Sequence, residues 1–395
     1  MAQTLQDRLI AANKRPSGFD YMRLILATSV VLSHTMPVSY GMDWTLDILN
    51  GPLRMINGLV LPLFFALSGF LVAGSLERCR TLVSFLGLRA IRLMPALAVE
   101  TCLAALLLGP MLTTFPLSTY FTDPKFHVYF YNIIGHVHFA LPGVYLNNPV
   151  PGMVNAQLWT LPFELICYIA ISGLAFLRIV RRAVGFLPML IALNLAIIAF
   201  YTIRSTPLDA AVMPGLALVQ CFLYGIAFYL YRERIIWNGW LCLTCLVITL
   251  GLLSAPMKPV GDLIVPVFAV YVTVYLGLLQ PKRTVLVTSG DYSYGIFLYG
   301  YPIQQAVALL MGSAGQVWYL NFAISFPIIL IIAMFSWHFI EKPALGLRTP
   351  LIHLEDAALK LSDRFSWLKW ILPTPLPAKP AGMKPSPVRE EAAAA

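Results

Sequence analysis

The chain has 395 residues, of which 59% are hydrophobic and 11% charged, with a mean hydropathy of +0.76. Soluble domains are about a quarter charged, so a chain this apolar cannot cover its own surface and a water-soluble fold is excluded. The net charge of +9 would point to nucleic acid in a soluble protein, but its distribution along the chain accounts for it otherwise.

A helix needs about 20 apolar residues to cross a bilayer. Ten segments qualify: 20–38, 58–76, 93–112, 158–177, 184–203, 211–231, 236–254, 262–280, 289–311 and 317–340. The expected fold is therefore all-α, a polytopic bundle of about ten transmembrane helices. Residues 1–19 are polar and basic and the first apolar run follows directly, so no cleavable leader is expected. With the N-terminus in the cytoplasm, inward-facing segments carry 23 of the 27 Lys and Arg residues. The outer loops carry only Arg54, Lys125, Arg204 and Lys258. This asymmetry orients the bundle with both termini inside and leaves no need for a nucleic-acid partner. The expected site is a bacterial inner (cytoplasmic) membrane.

Span one opens with Asp20 and Arg23, three residues apart and expected to pair, and reaches His34. Arg23 and His34 are eleven residues apart, close to three turns, which puts them on one face about 16 Å apart. His34 then lies in the outer half of the membrane. Span two contains Ser68-Gly69, a small pair suited to close helix packing. Before span three, Arg89 and Arg92 sit at i, i+3 on the cytoplasmic side. Two guanidinium forks on one face suit a phosphate-bearing ligand, or else anchor the topology.

Residues 113–157 form a long outer loop rich in aromatics, proline and glycine, of the kind that serves as a lid. Its stretch Phe126–Leu141 is apolar enough to dip into the membrane edge. His136 and His138 within it lack a third ligand, so no metal is expected. Span four begins at Trp159 and carries Glu164 about 9 Å below the outer surface, nearly the depth of His34. A histidine and a carboxylate at one depth can act as a base and its orienting partner, or can merely lock two helices. The six cysteines show no disulfide framework, and Cys242-x-x-Cys245 reads as helix packing. His338 and Glu341 close span ten in a structural or headgroup role. Beyond it, Ile352–Leu372 reads as an amphipathic surface helix and Pro373–Ala395 as disordered. No internal repeat is evident.

Several blocks, taken in order, carry a resemblance: Gly18-Phe-Asp20-Tyr-Met-Arg23 followed by Val30-Val-Leu-Ser-His34, Phe64-Phe-Ala-Leu-Ser68-Gly69-Phe70-Leu71, Arg89-x-x-Arg92, Leu158-Trp159-Thr-Leu-Pro-Phe-Glu164, Ser293-Tyr294-Gly295-Ile-Phe-Leu298-Tyr299, and Trp337-His-Phe-Ile-Glu341-Lys342-Pro343-Ala344. Together they resemble the membrane-bound acyltransferase-3 family, which includes O-acetyltransferases of bacterial exopolysaccharides, O-antigens and nodulation factors. The resemblance implies a transmembrane acyltransferase domain over residues 1–348 and a cytoplasmic tail over 349–395. It implies transfer of an acyl group, acetyl above all, from acyl-CoA in the cytoplasm to a hydroxyl of a glycan or lipid-linked oligosaccharide. Acetyl-CoA is then a co-substrate, with no metal. His34 becomes the catalytic residue, as general base or as a transiently acylated nucleophile, with Glu164 orienting it. Arg89, Arg92 and Arg23 become contacts to CoA, and Trp159, Ser68 and Tyr299 contacts to substrate. Where the family often has a histidine after Tyr-Leu-x, this chain has Gly300. A rival reading is a transporter or flippase of glycan intermediates, with His34 and Glu164 as a proton relay.

Overall fold

The computed structural model describes residues 3–49, 51, 53–180, 183–204, 215–254 and 260–364. They are arranged as helices α1 (Leu5–Ala11), α2 (Ser17–Tyr40), α3 (Met42–Leu49), α4 (Arg54–Arg78), α5 (Leu82–Leu103), α6 (Gly109–Leu112), α7 (Leu117–Thr122), α8 (Pro124–Tyr129), α9 (Leu161–Phe176), α10 (Ala183–Arg204), α11 (Gly215–Leu230), α12 (Gly239–Ser254), α13 (Val260–Gly277), α14 (Val285–Ser289), α15 (Ser293–Met311), α16 (Trp318–Ser336), α17 (Lys342–Ala344) and α18 (Arg348–Arg364). Among the described residues there is no strand, only the isolated bridges Thr4–Ile236 and Thr113–Val144.

A helix stands on each of the ten expected segments. Six are long and apolar enough to cross a membrane: Arg54–Arg78, Leu82–Leu112, Ala156–Phe176, Gly185–Ile203, Val260–Gly277 and the run Trp318–Leu361. Gly215–Leu230 and Gly239–Ser254 are shorter apolar helices. The other two, α2 and α15, have 24 and 19 residues but are studded with Ser, Thr, Tyr, Gln and His. They are the polar seam of an all-α membrane bundle.

The tightest crossing joins α4 to α11. A Cβ on Gly69 would fall 2.0 Å from the Phe222 carbonyl oxygen, and one on Gly225 would fall 2.3 Å from that of Ala66. Small residues permit this approach, and dispersion between the backbones holds it in the absence of a hydrophobic drive within lipid. The Ser68-Gly69 pair thus does what its spacing suggests. At the rim of the core, Arg54 pairs with Asp262 at 2.7 Å and fixes α4 to α13.

Two breaks in helical regularity matter for the site. Pro302 in α15 has no N–H to bond the Leu298 carbonyl, and the Gln157 side-chain amide donates to that oxygen instead at 2.7 Å. This draws the 3-10 turn Ala156–Thr160 onto α15. A π turn at Ala104–Leu108 follows α5, and the Tyr120 hydroxyl donates to the Ala105 carbonyl there at 2.7 Å.

The amphipathic segment expected at Ile352–Leu372 forms a helix that begins earlier, at Arg348, and is described to Arg364. Residues 365–372 and Pro373–Ala395 lie outside the described residues. Helix α18 docks on the start of α5: Thr81 donates to Glu355 at 2.8 Å, Arg80 pairs with Asp356, and Leu351 packs on Gly87.

Candidate active site

The lower end of the polar seam is closed by one carboxylate. Asp291, in the turn before α15, accepts from Arg23 at 2.7 Å and from Arg92 at 2.8 Å through the same oxygen. Its other oxygen accepts from Ser293 at 2.6 Å. Arg92 also donates to Glu341 at 2.9 Å, and its guanidinium carbon lies 5.5 Å from the Trp337 ring centre. A second π turn, Trp337–Glu341, aims Glu341 inward to meet it. Arg23 is shared with Asp20 at 2.6 Å, so the expected Asp20–Arg23 pair is present. α2, α5, α15 and α16 are thereby pinned at one level. The consequence for the expected CoA contacts is direct, because Arg23 and Arg92 are each held by two carboxylates. The adjoining cavity of about 220 Å³ is lined by both Asp20 and Asp291, which is poor ground for phosphate.

Arg89 differs. It donates to Ser75 at 3.2 Å, and its Nε is buried without a hydrogen-bond partner. Arg89 and Arg348 both lie within the electrostatic neighbourhood of Arg78. Among the described residues none of these three arginines makes an ion pair.

Glu164 stands near this group rather than beside His34. Tyr168, one turn further along α9, donates to it, and its charged neighbours are Arg89 and Arg92. Ser68 and Arg89 lie in the neighbourhood of the same tyrosine. No hydrogen bond joins His34 to Glu164. This departs from the expected pairing for a physical reason: α9 packs against α5 and α11, and the charged neighbours of Glu164 are the arginines of α5.

His34 lies about 16 Å above Arg23 along α2. The edge of its ring meets Tyr301, with centres 5.3 Å apart at an interplanar angle of 88°. Neither ring nitrogen has a partner among the described residues. Gln304 donates to the Val31 carbonyl and to Thr35, both at 2.8 Å, which fixes the α2 backbone around the histidine. Above it, the outer segment is latched to α15. Tyr145 donates to the Pro302 carbonyl at 2.9 Å, Asn148 to Gln305 at 2.7 Å, and Gln305 to the carbonyls of Val150 and Met153 at 3.0 and 2.9 Å. Met153 and Ala156 pack over Val38 and Tyr301, and so roof the histidine.

A basic floor, an unpaired histidine within the bundle and a latched outer roof fit a site reached from both faces of a membrane. The acyltransferase domain profile of the acyltransferase-3 family matches residues 17–338. The chain belongs to the acyltransferase-3 family. It is 27% identical over 348 residues to the O-acetyl transferase of Shigella phage Sf6, covering 85% of this chain and 98% of that protein. It is 29% identical over 378 residues to Nodulation protein 10 of Rhizobium leguminosarum bv. viciae, covering 86% of this chain and 97% of that protein. No solved structure matches it.

As a membrane acyltransferase of this family, the chain carries its motif residues in two groups. Ser68, Arg89 and Glu164 meet around Tyr168, while Arg23 and Arg92 meet at Asp291. Tyr299 has Glu341 and Glu100 both in its electrostatic neighbourhood, and Ser336 donates to Glu341 at 3.1 Å. Trp159 is half-buried with its ring against Phe163 at 6.1 Å, and His34 stands apart with Tyr301. His136 and His138 bond each other at 2.9 Å; burial and then the neighbouring imidazole hold His138 below the usual histidine range. No group of three metal-binding side chains occurs among the described residues. His338 contacts the Met334 carbonyl at 2.8 Å, while Glu341 makes the ion pair at that helix end. The sequence reading missed Asp291, Tyr168 and Gln305. Only Asp291 left a signal, as an acidic residue at the inner end of a span facing two cytoplasmic arginines.

Proposed function

We propose that this acyltransferase moves an acyl group, acetyl in the first instance, from acyl-CoA at the cytoplasmic face to a hydroxyl of an exported or cell-surface glycan. The observation that carries the reading is the unpaired His34, held by α15 at mid-depth between an arginine-rich inner end and a roofed outer end. The phage relative is named an O-acetyl transferase, which supports acetyl as the group.

Neutral His34 takes the proton from the acceptor hydroxyl as its oxygen attacks the thioester carbonyl. The carbon–sulfur bond breaks, and the same proton passes to the leaving thiolate. A base of this kind contributes about 10²–10⁴-fold. Phosphates of the donor bind Arg89, whose Nε is free, with Arg78 and Arg348 beside it. Glu164 acts at this donor end by holding Tyr168 and balancing the arginines, and Arg23 and Arg92 shape the floor through Asp291. Ser68 serves the same end through Tyr168. Tyr299 and Trp159 face the acceptor side. The reading places the protein in the inner membrane with both termini cytoplasmic, an orientation that the charge asymmetry supports.

The test is reconstitution in liposomes with radiolabelled acetyl-CoA and the alkali-deacylated surface glycan of the producing strain. Label should enter the glycan with wild-type protein, and the rate should fall at least about 100-fold in His34→Ala. Wild-type rates in a folded His34→Ala protein would remove the base assignment. Glycan crossing the bilayer without acquiring label would identify a transporter.

A further inference from the structure

The outer half of the bundle holds a cluster of polar side chains that the reading above does not use. Glu100 on α5 is 2% exposed, and neither carboxylate oxygen has a hydrogen-bond partner. The Thr101 hydroxyl is fully buried and equally unpartnered. Tyr129, brought in by the outer segment, is 0% exposed with a bare hydroxyl and lies in the electrostatic neighbourhood of Glu100. Tyr299 approaches Glu100 from α15. Asn155, next in the chain to Val154 of the apolar cluster that holds Tyr129, is 0% exposed with both amide atoms unbonded. Gln157 gives its amide to Leu298 but leaves its own oxygen bare.

Each such group left dry destabilises the fold, and packing does not account for them. The neighbouring Ala104, Ala105, Leu141, Val144 and Val154 form an apolar cluster that a leucine would complete as well as a glutamate. The level is informative. Arg23 and Arg92 meet at Asp291 and so share one height. Glu100 is eight residues beyond Arg92, about 12 Å, and His34 is eleven beyond Arg23, about 16 Å. The carboxylate and the histidine therefore stand at nearly one depth on either side of α15.

We propose that Glu100, Tyr129, Tyr299 and Asn155 form the subsite that grips the acceptor sugar, with Glu100 accepting hydrogen bonds from ring hydroxyls next to the one that reacts. The inference rests on the acyl-transfer reading and gives it a specific acceptor-binding residue. A carboxylate, phenols and a primary amide in a dry setting form the donor and acceptor set that polyhydroxylated ligands satisfy. The subsite is closed in this conformation by the outer segment 113–157, and opening requires that segment to lift from α15. An occupied subsite exchanges bare polar groups for paired ones, which is how a buried polar site discriminates for a hydroxylated ligand.

The experiment uses the full chain in detergent with the deacylated surface glycan of the producing strain. Thermal shift without donor reads acceptor binding, and steady-state transfer from acetyl-CoA reads both KM values. Glu100→Gln is expected to raise KM for the glycan roughly tenfold to a hundredfold, as loss of charged hydrogen bonds does. KM for acetyl-CoA should stay within about twofold, and the glycan-induced thermal shift should vanish. Tyr129→Phe should give the same pattern more weakly, and it decides the matter if Glu100→Gln does not fold. An unchanged glycan KM and thermal shift in these variants, or equal rises in both KM values, would overturn the proposal. A wild-type protein that binds glycan but transfers nothing from acetyl-CoA would defeat the donor reading instead.

Discussion

A glycine stands at the point where α2 and α15 come closest beside the histidine. A Cβ at Gly300 would fall 2.9 Å from Val31 Cγ2, and Val31 is 1% exposed and β-branched, so it has no rotamer into which to retreat. The family's frequent histidine therefore has no room at this position. Gly300→His should not restore a missing function. It should push the two helices apart, with an overpacking cost of about 1–3 kcal/mol, and misplace His34. Thermal unfolding in detergent and the transfer assay check this together, and a variant with wild-type Tm and raised activity would refute it. At this scale the sequence spoke unevenly. His34 and the arginines announced themselves because ionisable groups are rare within spans. Glu164 was assigned the wrong neighbour because its depth was counted from the outer surface, whereas its charged neighbours are Arg89 and Arg92 at the inner end. Glu100 passed unremarked inside an apolar run, and Asp291 gained meaning only when α2 and α5 were seen to converge on it.

The elements were far more legible than the contacts between them. A run of apolar residues fixes where a helix lies, because every backbone group in lipid must be satisfied within its own segment. All ten expected segments carry helices for that reason. The outer segment was legible only as a long loop rich in aromatics. Its structure rests on single side chains that complete broken backbone patterns, such as Gln157 at the carbonyl freed by Pro302. Gln305 is the most heavily used of these, bonded to Asn148, Val150 and Met153. Gln305→Ala removes the latch without touching the histidine. It leaves the Val150 and Met153 carbonyls unpaired, while Asn148 keeps its bond to the Gln305 backbone carbonyl at 2.9 Å, at a local cost of about 2–3 kcal/mol. The outer segment should then open more often, and limited chymotrypsin digestion from the outer face should cut within 129–153 several-fold faster than in wild type. Equal digestion rates would show that apolar packing of Tyr120, Phe126 and Tyr145 holds the roof unaided.

At the scale of the whole molecule, two features agree with the polarity proposed for the bundle. One is the charge count, with 23 of 27 basic residues on the side assigned to the cytoplasm. The other is geometric: Arg78, Arg89 and Arg348 gather at one end with no ion-pair partner, while the roofed segment 113–157 lies at the other. α18 adds to the arginine end by docking Glu355 on Thr81, which also caps α5 by accepting from the Ser84 amide at 3.2 Å. Under the proposed orientation the donor face is the arginine end, and the native protein carries its own probe of it. Cys79 sits in the turn between α4 and α5 and is half-buried, whereas Cys167, Cys221, Cys242 and Cys245 are buried inside helices and Cys102 lies within the span Leu82–Leu112. Burial raises the Cys79 thiol above its ordinary range, so labelling with a membrane-impermeant maleimide belongs at pH 8.5 or above, where more of it is thiolate. Inverted vesicles should label at Cys79 and lose that label in Cys79→Ser, while right-side-out vesicles should remain unlabelled until the membrane is permeabilised. Labelling confined to right-side-out vesicles would place the arginine cluster outside, where acyl-CoA is absent, and the bundle would need a different donor.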